Sequence, residues 1–411
     1  MKTLFTITLA FLAFLKLQGQ NPTFDVNRLT EINKWIESDV EKGEMQGAIV
    51  MIADKDKTLY SYVGGNSDVE TRRALLKNDF FKIASMSKVI TTVAVLQLYE
   101  KGLFDLNDPI SNYLPEFKNA KVLDFEEEKT DSLKSTNIDV TIKQLLNHTS
   151  GYAYGGPKIS KLYKENNIHF FNPEGNDLME FMQKLSKMPL TALPGEKFTY
   201  GPSTDILGYL IEKLTKESLE SYFDEHIFKP LEMYNTGFNS HRGKTVNLVR
   251  TYKLDKTNGL MPLNKPEDLD ENTPTKVYMG GSGLISTAED YLKFCQMLLN
   301  DGKYKRVRIL SRKTIELMTR NQINTLEYPK GYNRLLGEGN TFGFGVNVIT
   351  ANGSNNELYS EGSYFWEGSY STSFIVDPKE GFTAVIMTQI AGLKSLDIRR
   401  KFRKYIYSAL E

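Results

Sequence analysis

Phe81-Lys82-Ile83-Ala84-Ser85-Met86-Ser87-Lys88 runs directly into residues 89–98, a segment that is apolar nearly all round over a helical length. A helix of that composition is buried on every side, and Gly102 supplies its stop. Ser85 and Lys88 stand three residues apart, so on a helix they share one face, about a turn from each other. With Ser85 at the helix start, its hydroxyl lies at the positive end of the helix dipole. Lys88, at the wall of an apolar lobe, is a charge that is costly without a partner. Burial favours a neutral amine, and a neutral amine accepts a serine proton where a solvated ammonium does not. The same four residues also admit a plainer reading, with Ser85 an N-cap and Lys88 solvated, and the tetrapeptide alone does not separate the two.

Working outward, Gly47-Ala48-Ile49-Val50-Met51-Ile52-Ala53 and residues 58–63 are β-rich runs joined by residues 54–57, which predicts a hairpin. Before it, Leu29, Ile32, Trp35, Ile36 and Val40 mark an amphipathic helix over 28–42. Thr141 and Gln144 form a capping box for a short helix ending near His148, and Ser286 with Glu289 fits a second. Further helices are predicted at 177–187, 203–215, 217–227, 287–299 and 311–320, and residues 118–140 read as a charged, exposed excursion. The chain returns to strands at 342–350, 371–376 and 382–389 and closes with a basic amphipathic helix over 395–410. Strands from both chain ends bracket a mostly helical middle. That predicts an α+β, two-lobed fold, in which an antiparallel sheet flanked by terminal helices carries an inserted helical lobe.

The 411 residues admit either one large domain or two fused lobes. We place a single unit over 25–410, with a sheet lobe at about 25–80 and 270–410 and a helical lobe at about 81–269. Lys+Arg and Asp+Glu both count 51, and no long basic stripe points to nucleic acid. Lys2 followed by the apolar run 4–15 reads as a signal peptide over 1–19, too short for a membrane span. The expected location is therefore outside the cytoplasm, periplasmic or secreted, with no transmembrane segment after cleavage. Cys295 is the single cysteine, set among apolar neighbours as a small buried hydrophobe, so no intramolecular disulfide can form.

The flanks of the Ser85 segment carry more. Leu106-Asn107-Asp108-Pro109, Tyr113-Leu114-Pro115-Glu116, Leu145-Leu146-Asn147-His148-Thr149-Ser150-Gly151, Pro194-Gly195-Glu196-Lys197-Phe198-Thr199-Tyr200, Gly281-Ser282-Gly283-Leu284 and Trp366-Glu367-Gly368 follow in order. Together with the stretch from Phe81 to Lys88, they resemble the serine β-lactamase-related family of class C β-lactamases, D-Ala-D-Ala carboxypeptidases and esterases. The resemblance spans roughly residues 30–405. It implies a β-lactamase/DD-peptidase-like fold and a hydrolase working through an acyl-enzyme, with no metal or organic cofactor. Ser85 matches the nucleophile, Lys88 its partner and Tyr200 the tyrosine of the Y-x-N motif. Trp366, Gly368 and Ser369 match the K-T-G region, where the Ser369 and Ser85 N–H groups would make the oxyanion hole.

Two departures bear on the substrate. Pro202 replaces the asparagine of Y-x-N, and Trp366 replaces the Lys or His that faces a substrate carboxylate. A charge-assisted hydrogen bond contributes about 1.5–3 kcal/mol, so its loss disfavours penicillins and peptidyl-D-alanine. The pattern looks like the esterase branch, acting on a small-molecule, glycan or peptide acyl group. The alternatives are a β-lactamase or D-Ala-D-Ala carboxypeptidase, and a non-catalytic ligand-binding member of the family. A Ser-His-Asp triad finds no support, because no G-x-S-x-G elbow occurs and only His148, His169, His226 and His241 are present. No H-E-x-x-H or C-x-x-C metal motif is present either.

Overall fold

The computed structural model describes residues 22–411 apart from 124–132, 171–172, 174, 176, 239–246, 256, 264–276, 324–325, 327–332, 356 and 393. The signal-peptide reading at 1–19, His241 and the middle of the 118–140 excursion lie outside the described residues. No helix among the described residues is long and apolar enough to cross a membrane.

The centre of the molecule is an eight-stranded antiparallel sheet. In chain order its strands are β1 (Gly47–Ala53), β2 (Thr58–Asp68), β3 (Arg73–Ala74), β4 (Thr341–Phe342), β5 (Asn347–Val348), β6 (Tyr364–Glu367), β7 (Ser373–Asp377) and β8 (Phe382–Met387). Their spatial order is β4-β5-β6-β7-β8-β1-β2-β3, so the first strand pairs with the last and both chain ends build one sheet. The predicted hairpin forms because the Asp54 carboxylate accepts the N–H groups of Asp56 and Lys57 at the turn (2.8 and 2.7 Å).

The side-chain period of two divides β1 between two cores. Ile49, Met51 and Ala53 point to an inner core, while Ala48, Val50 and Ile52 point to an outer one. The outer core is closed by α1 (Val26–Glu41) and by a C-terminal helix, through Leu29, Ile32, Ile36, Ile398, Phe402 and Ile406. The inner core holds α2 (Ser87–Glu100), the short α3 (Ile142–Leu146), α4 (Ser203–Thr215) and α5 (Ala288–Leu299). The C-terminal helix, Lys394–Ser408, is α6. The two ends of the described chain meet, with Asp25 N–H on Ala409 O (2.9 Å) and the Arg28 guanidinium on Ser408 O (2.8 Å).

Three local expectations are corrected. The α5 cap is Thr287, whose hydroxyl accepts the Asp290 N–H, because Ser286 is still in a strand and bonds to Thr236. The stretch 342–350 is two strands, since Gly343 to Val346 closes a turn with Gly345 at φ +70°. The expected helix over 217–227 is α-helical only at Leu219–Phe223 and then widens to a π turn over Asp224–Phe228.

Candidate active site

Ser85 does not open α2 directly. It is the middle residue of a 3₁₀ turn, Ala84–Met86, that leads into the helix at Ser87. Ala84 holds φ +45°, a left-handed conformation that a residue with a Cβ visits only when its surroundings enforce it. The enforcement comes from both sides of the turn. Ile83 N–H donates to Leu284 O (3.1 Å), Ser87 Oγ accepts the Leu284 N–H (3.2 Å), and the Tyr291 hydroxyl donates to Met86 O (3.0 Å). The first inward-turned amide is that of Met86, onto Ile83 O at 3.1 Å. Ser85 therefore lies among the N-terminal residues whose amides have no helical acceptor.

Lys88 is 1% exposed. Its amine donates to Ser85 Oγ at 3.2 Å and to Gly281 O at 2.7 Å. It also sits 5.0 Å from the ring centroids of both Tyr154 and Tyr200, so two aromatic faces and two oxygens replace its water. Gly281 passes the contact on, because its own N–H donates to Asp205 Oδ1 at 2.7 Å. The Tyr154 hydroxyl donates to the other oxygen of Asp205 at 3.2 Å. A Cβ at position 281 would meet Asp205 Oδ2 at 2.6 Å and Tyr154 Oη at 2.9 Å, so only glycine fits between them. Burial raises the Asp205 carboxyl above its ordinary range, while Lys88 and the hydrogen bonds from Gly281 and Tyr154 pull it back.

Tyr200, half-buried, joins the site through its ring, 4.9 Å from His148, 5.6 Å from Tyr154 and 5.5 Å from Trp366. Trp366 is 3% exposed, packs on Phe342 at 5.2 Å, and keeps an indole N–H without a hydrogen-bond partner. Gly368 is forced: a Cβ there would collide with Ile83 O and Thr372 Oγ1. The end of β6 thus rests on the turn that carries Ser85. Ser369 is exposed just beyond it. The β6 strand is not at the sheet edge, because β5 covers it. That pairing stops at Phe365, however, which leaves the segment from Trp366 onward open on one side.

The fold therefore brings Ser85, Lys88, Tyr200, Trp366 and Gly368 to one place. His148, where the capped helix was expected to end, is also buried beside the site. It lies beyond α3 at φ +56°, with neither ring nitrogen partnered. Burial and the nearby Lys88 hold it well below the ordinary histidine range, so it is neutral. Tyr154, Asp205 and Gly281 were missed as site residues. The available signal was Asp205 itself, a carboxylate in the first turn of a helix and directly before the apolar run 206–211. No group of three or more His, Cys, Asp or Glu side chains among the described residues is arranged to hold a metal.

The beta-lactamase family model matches residues 32–407. The chain belongs to the beta-lactamase family. Protein Rv1367c of Mycobacterium tuberculosis (strain ATCC 25618 / H37Rv) is 30% identical over 369 residues, covering 87% of this chain and 89% of that protein. Among solved structures, EstCE1, described as a hydrolase with promiscuous acyltransferase activity, superposes with a TM-score of 0.78 at 24% identity, covering 93% of this chain and 98% of its own. Simvastatin synthase (LovD) from Aspergillus terreus gives a TM-score of 0.78 at 21% identity, over 93% and 99% of the two chains. At these identities the structures speak for a shared fold. Beta-lactamase-family membership makes the chain a serine hydrolase by fold, and gives the expected α+β architecture with its large antiparallel sheet.

Proposed function

We propose that this protein is an exported serine hydrolase that cleaves esters through an acyl-enzyme on Ser85. The observation that carries the reading is the Lys88 amine, stripped of water and directed at Ser85 Oγ from 3.2 Å. Ser85 Oγ attacks the ester carbonyl carbon as its proton passes to the Lys88/Tyr200 pair. The Ser85 and Ser369 N–H groups receive the oxyanion. As the tetrahedral intermediate collapses, the C–O bond to the alcohol breaks, and the alcohol leaves with the proton held by the pair. Water then attacks the acyl-enzyme with the same pair as base, releasing the acid and restoring the Ser85 hydroxyl.

The substrate side of the site favours a neutral acyl group. Trp366 presents an aromatic face and one unpartnered N–H donor where a cation would be needed to grip a carboxylate. Tyr154, Tyr200 and Phe170 extend that wall, with Tyr154 and Phe170 at 5.0 Å. The wall also supports a second reading, transfer of the acyl group to an alcohol instead of water, in keeping with the acyltransferase description of EstCE1. Export rests on Lys2 and the apolar run 4–15.

The test is a screen of short- and long-chain p-nitrophenyl esters beside nitrocefin, with and without an alcohol acceptor. A burst of p-nitrophenol and a fluorophosphonate label, both lost in Ser85→Ala, are expected. Absence of both from folded wild-type protein would leave a ligand-binding role, and rapid nitrocefin turnover without ester cleavage would move the assignment to β-lactams. Fractionation of expressing cells tests export, which cytoplasmic retention of an uncleaved chain contradicts.

A further inference from the structure

The β6–β7 hairpin has to hold a substrate-facing amide still at its least supported point. Pairing with β5 ends at Phe365 and pairing between β6 and β7 ends at Glu367 and Ser373, so the tip from Gly368 to Thr372 lies beyond both ladders. The tip folds through a left-handed residue, Ser371 at φ +67°. It is tied within itself by Gly368 N–H on Thr372 O (2.9 Å) and Ser371 N–H on Gly368 O (3.2 Å). Ile390 fixes its far side, donating to Tyr370 O (3.0 Å) and accepting from Ser371 Oγ (2.5 Å).

A second donor comes to the same Gly368 carbonyl from outside the sheet. Arg399 of α6 gives Nη2 to Gly368 O and Nη1 to the Glu367 carboxylate (2.7 Å). One turn further along α6, Arg403 takes the other Glu367 oxygen at 2.7 Å, bonds the Tyr359 hydroxyl at 3.1 Å, and stacks on Phe365 at 4.3 Å. The three charged side chains are 16% (Glu367), 11% (Arg399) and 7% (Arg403) exposed. Burying charges this deeply brings little net stability, because desolvation offsets the attraction. The arrangement is better understood by what it aims. A peptide unit is planar and trans, so its C=O and N–H point opposite ways. With Arg399 and Ser371 holding the Gly368 carbonyl, the Ser369 N–H is turned to the opposite side, where no backbone acceptor among the described residues takes it.

We propose that Arg399 is a positioning residue: it holds the Gly368 carbonyl, and through the rigid Gly368–Ser369 peptide it aims the Ser369 N–H at the developing oxyanion. This rests on the serine-hydrolase reading above and adds to it the device that orients the second oxyanion donor. Arg403 shares the ion pair but not the carbonyl, and so separates orientation from mere anchoring of α6.

The experiment begins with wild-type protein, p-nitrophenyl butyrate and a fluorophosphonate probe. No turnover and no Ser85 label would overturn the serine-hydrolase reading, and the positioning role with it. With turnover established, Arg399→Gln and Arg403→Gln are compared for kcat, KM, labelling rate and melting temperature. Arg399→Gln is expected to lose about 10- to 100-fold in kcat and in labelling rate, with KM changed by no more than about twofold. Arg399→Lys, which can still reach the carbonyl, is expected to recover part of the loss. Arg403→Gln is expected to lower the melting temperature at least as much while keeping kcat within about threefold. An Arg399→Gln enzyme with wild-type kcat, or equal kcat losses in both variants, overturns the proposal. If Arg399→Gln does not fold, Glu367→Gln loosens the same guanidinium with little change of shape, and is expected to show the same kcat-selective loss. Wild-type kcat there is equally fatal.

Discussion

A lysine at 1% exposure has given up its hydration shell, and Lys88 recovers the loss from Ser85 Oγ, Gly281 O and two aromatic faces. Behind Gly281 stands Asp205, itself fully buried. Removing one partner of such an arrangement leaves the other uncompensated, at a cost of about 3–5 kcal/mol when the survivor stays charged. Lys88→Met is therefore expected to abolish turnover and lower stability, and adding Asp205→Asn to recover stability but not activity, as read by melting temperature and ester turnover. The pH dependence of the single variant has a definite sign. Burial already raises the Asp205 carboxyl, and Lys88 is the largest of the influences that oppose the rise, ahead of the hydrogen bonds from Gly281 and Tyr154. A carboxyl whose folded pKa exceeds its unfolded value, about 3.9, contributes stability that is full below that value and lost as pH rises through the folded pKa. Lys88→Met should thus melt progressively lower from about pH 4 upward, and Lys88→Met/Asp205→Asn should not. At Trp366 the missing cation can be restored. Trp366→Lys is expected to bring acylation by a fluorescent penicillin above wild type while slowing neutral esters, and no gain in penicillin labelling would show that the aromatic wall is not what discriminates.

The 3₁₀ turn at Ala84–Met86 is the element on which the nucleophile depends, and its strain is located at one residue. A left-handed alanine costs about 1–2 kcal/mol. Ala84→Gly removes that cost but also a buried methyl worth about 0.8 kcal/mol and adds chain entropy to the unfolded state, so the net change is expected to stay within about 1 kcal/mol. Ala84→Val has no such offset, since a β-branched residue at φ +45° is a genuine outlier. It is expected to lose more than about 2 kcal/mol and most turnover, measured by denaturant unfolding and by fluorophosphonate labelling. Elements of this kind also show where sequence reading succeeds. The α4 helix was placed residue for residue over 203–215, because Pro202, Asp205 in the first turn and an unbroken apolar stripe all agree. The Asp54 turn and the Thr141–Gln144 capping box were equally local signals. The left-handed turn at Gly345 was not legible, because Phe342, Phe344, Val346 and Val348 read as one continuous strand, and the one at Ser371 was not, because nothing in the polar stretch 367–373 marks which residue takes the positive φ. Ser85 and Lys88 could be found because they stand three residues apart and because the flanking motifs carry the resemblance that the tetrapeptide alone does not. Tyr154 and Arg399 could not, since each acts through a partner brought near only by the tertiary fold.

At the scale of the whole molecule, the central sheet divides labour between its faces. Ile49 and Met51 share the inner core with α2, which continues from the Ser85 turn, and with α5, whose Tyr291 hydroxyl holds Met86 O. Val50 and Ile52, their neighbours in sequence, share the outer core with α1 and α6. The outer layer joins the two chain ends and touches the Gly368 carbonyl through Arg399, so its remaining packing should serve stability alone. Ile36 in α1 and Ile90 in α2 are both fully buried, one in each core. Truncating either to alanine costs about 2–5 kcal/mol through lost contacts and the cavity left behind. Close-packed interiors pass a void on to their immediate neighbours, so the two cavities should differ in effect. Ile36→Ala is expected to lower the melting temperature while leaving kcat at 25 °C unchanged. Ile90→Ala, two residues beyond Lys88 on the helix that aims its amine, is expected to lower both. Equal kcat losses in the two variants at matched stability would mean that the sheet transmits strain from face to face, and that the outer layer shapes the active site as a whole rather than through Arg399.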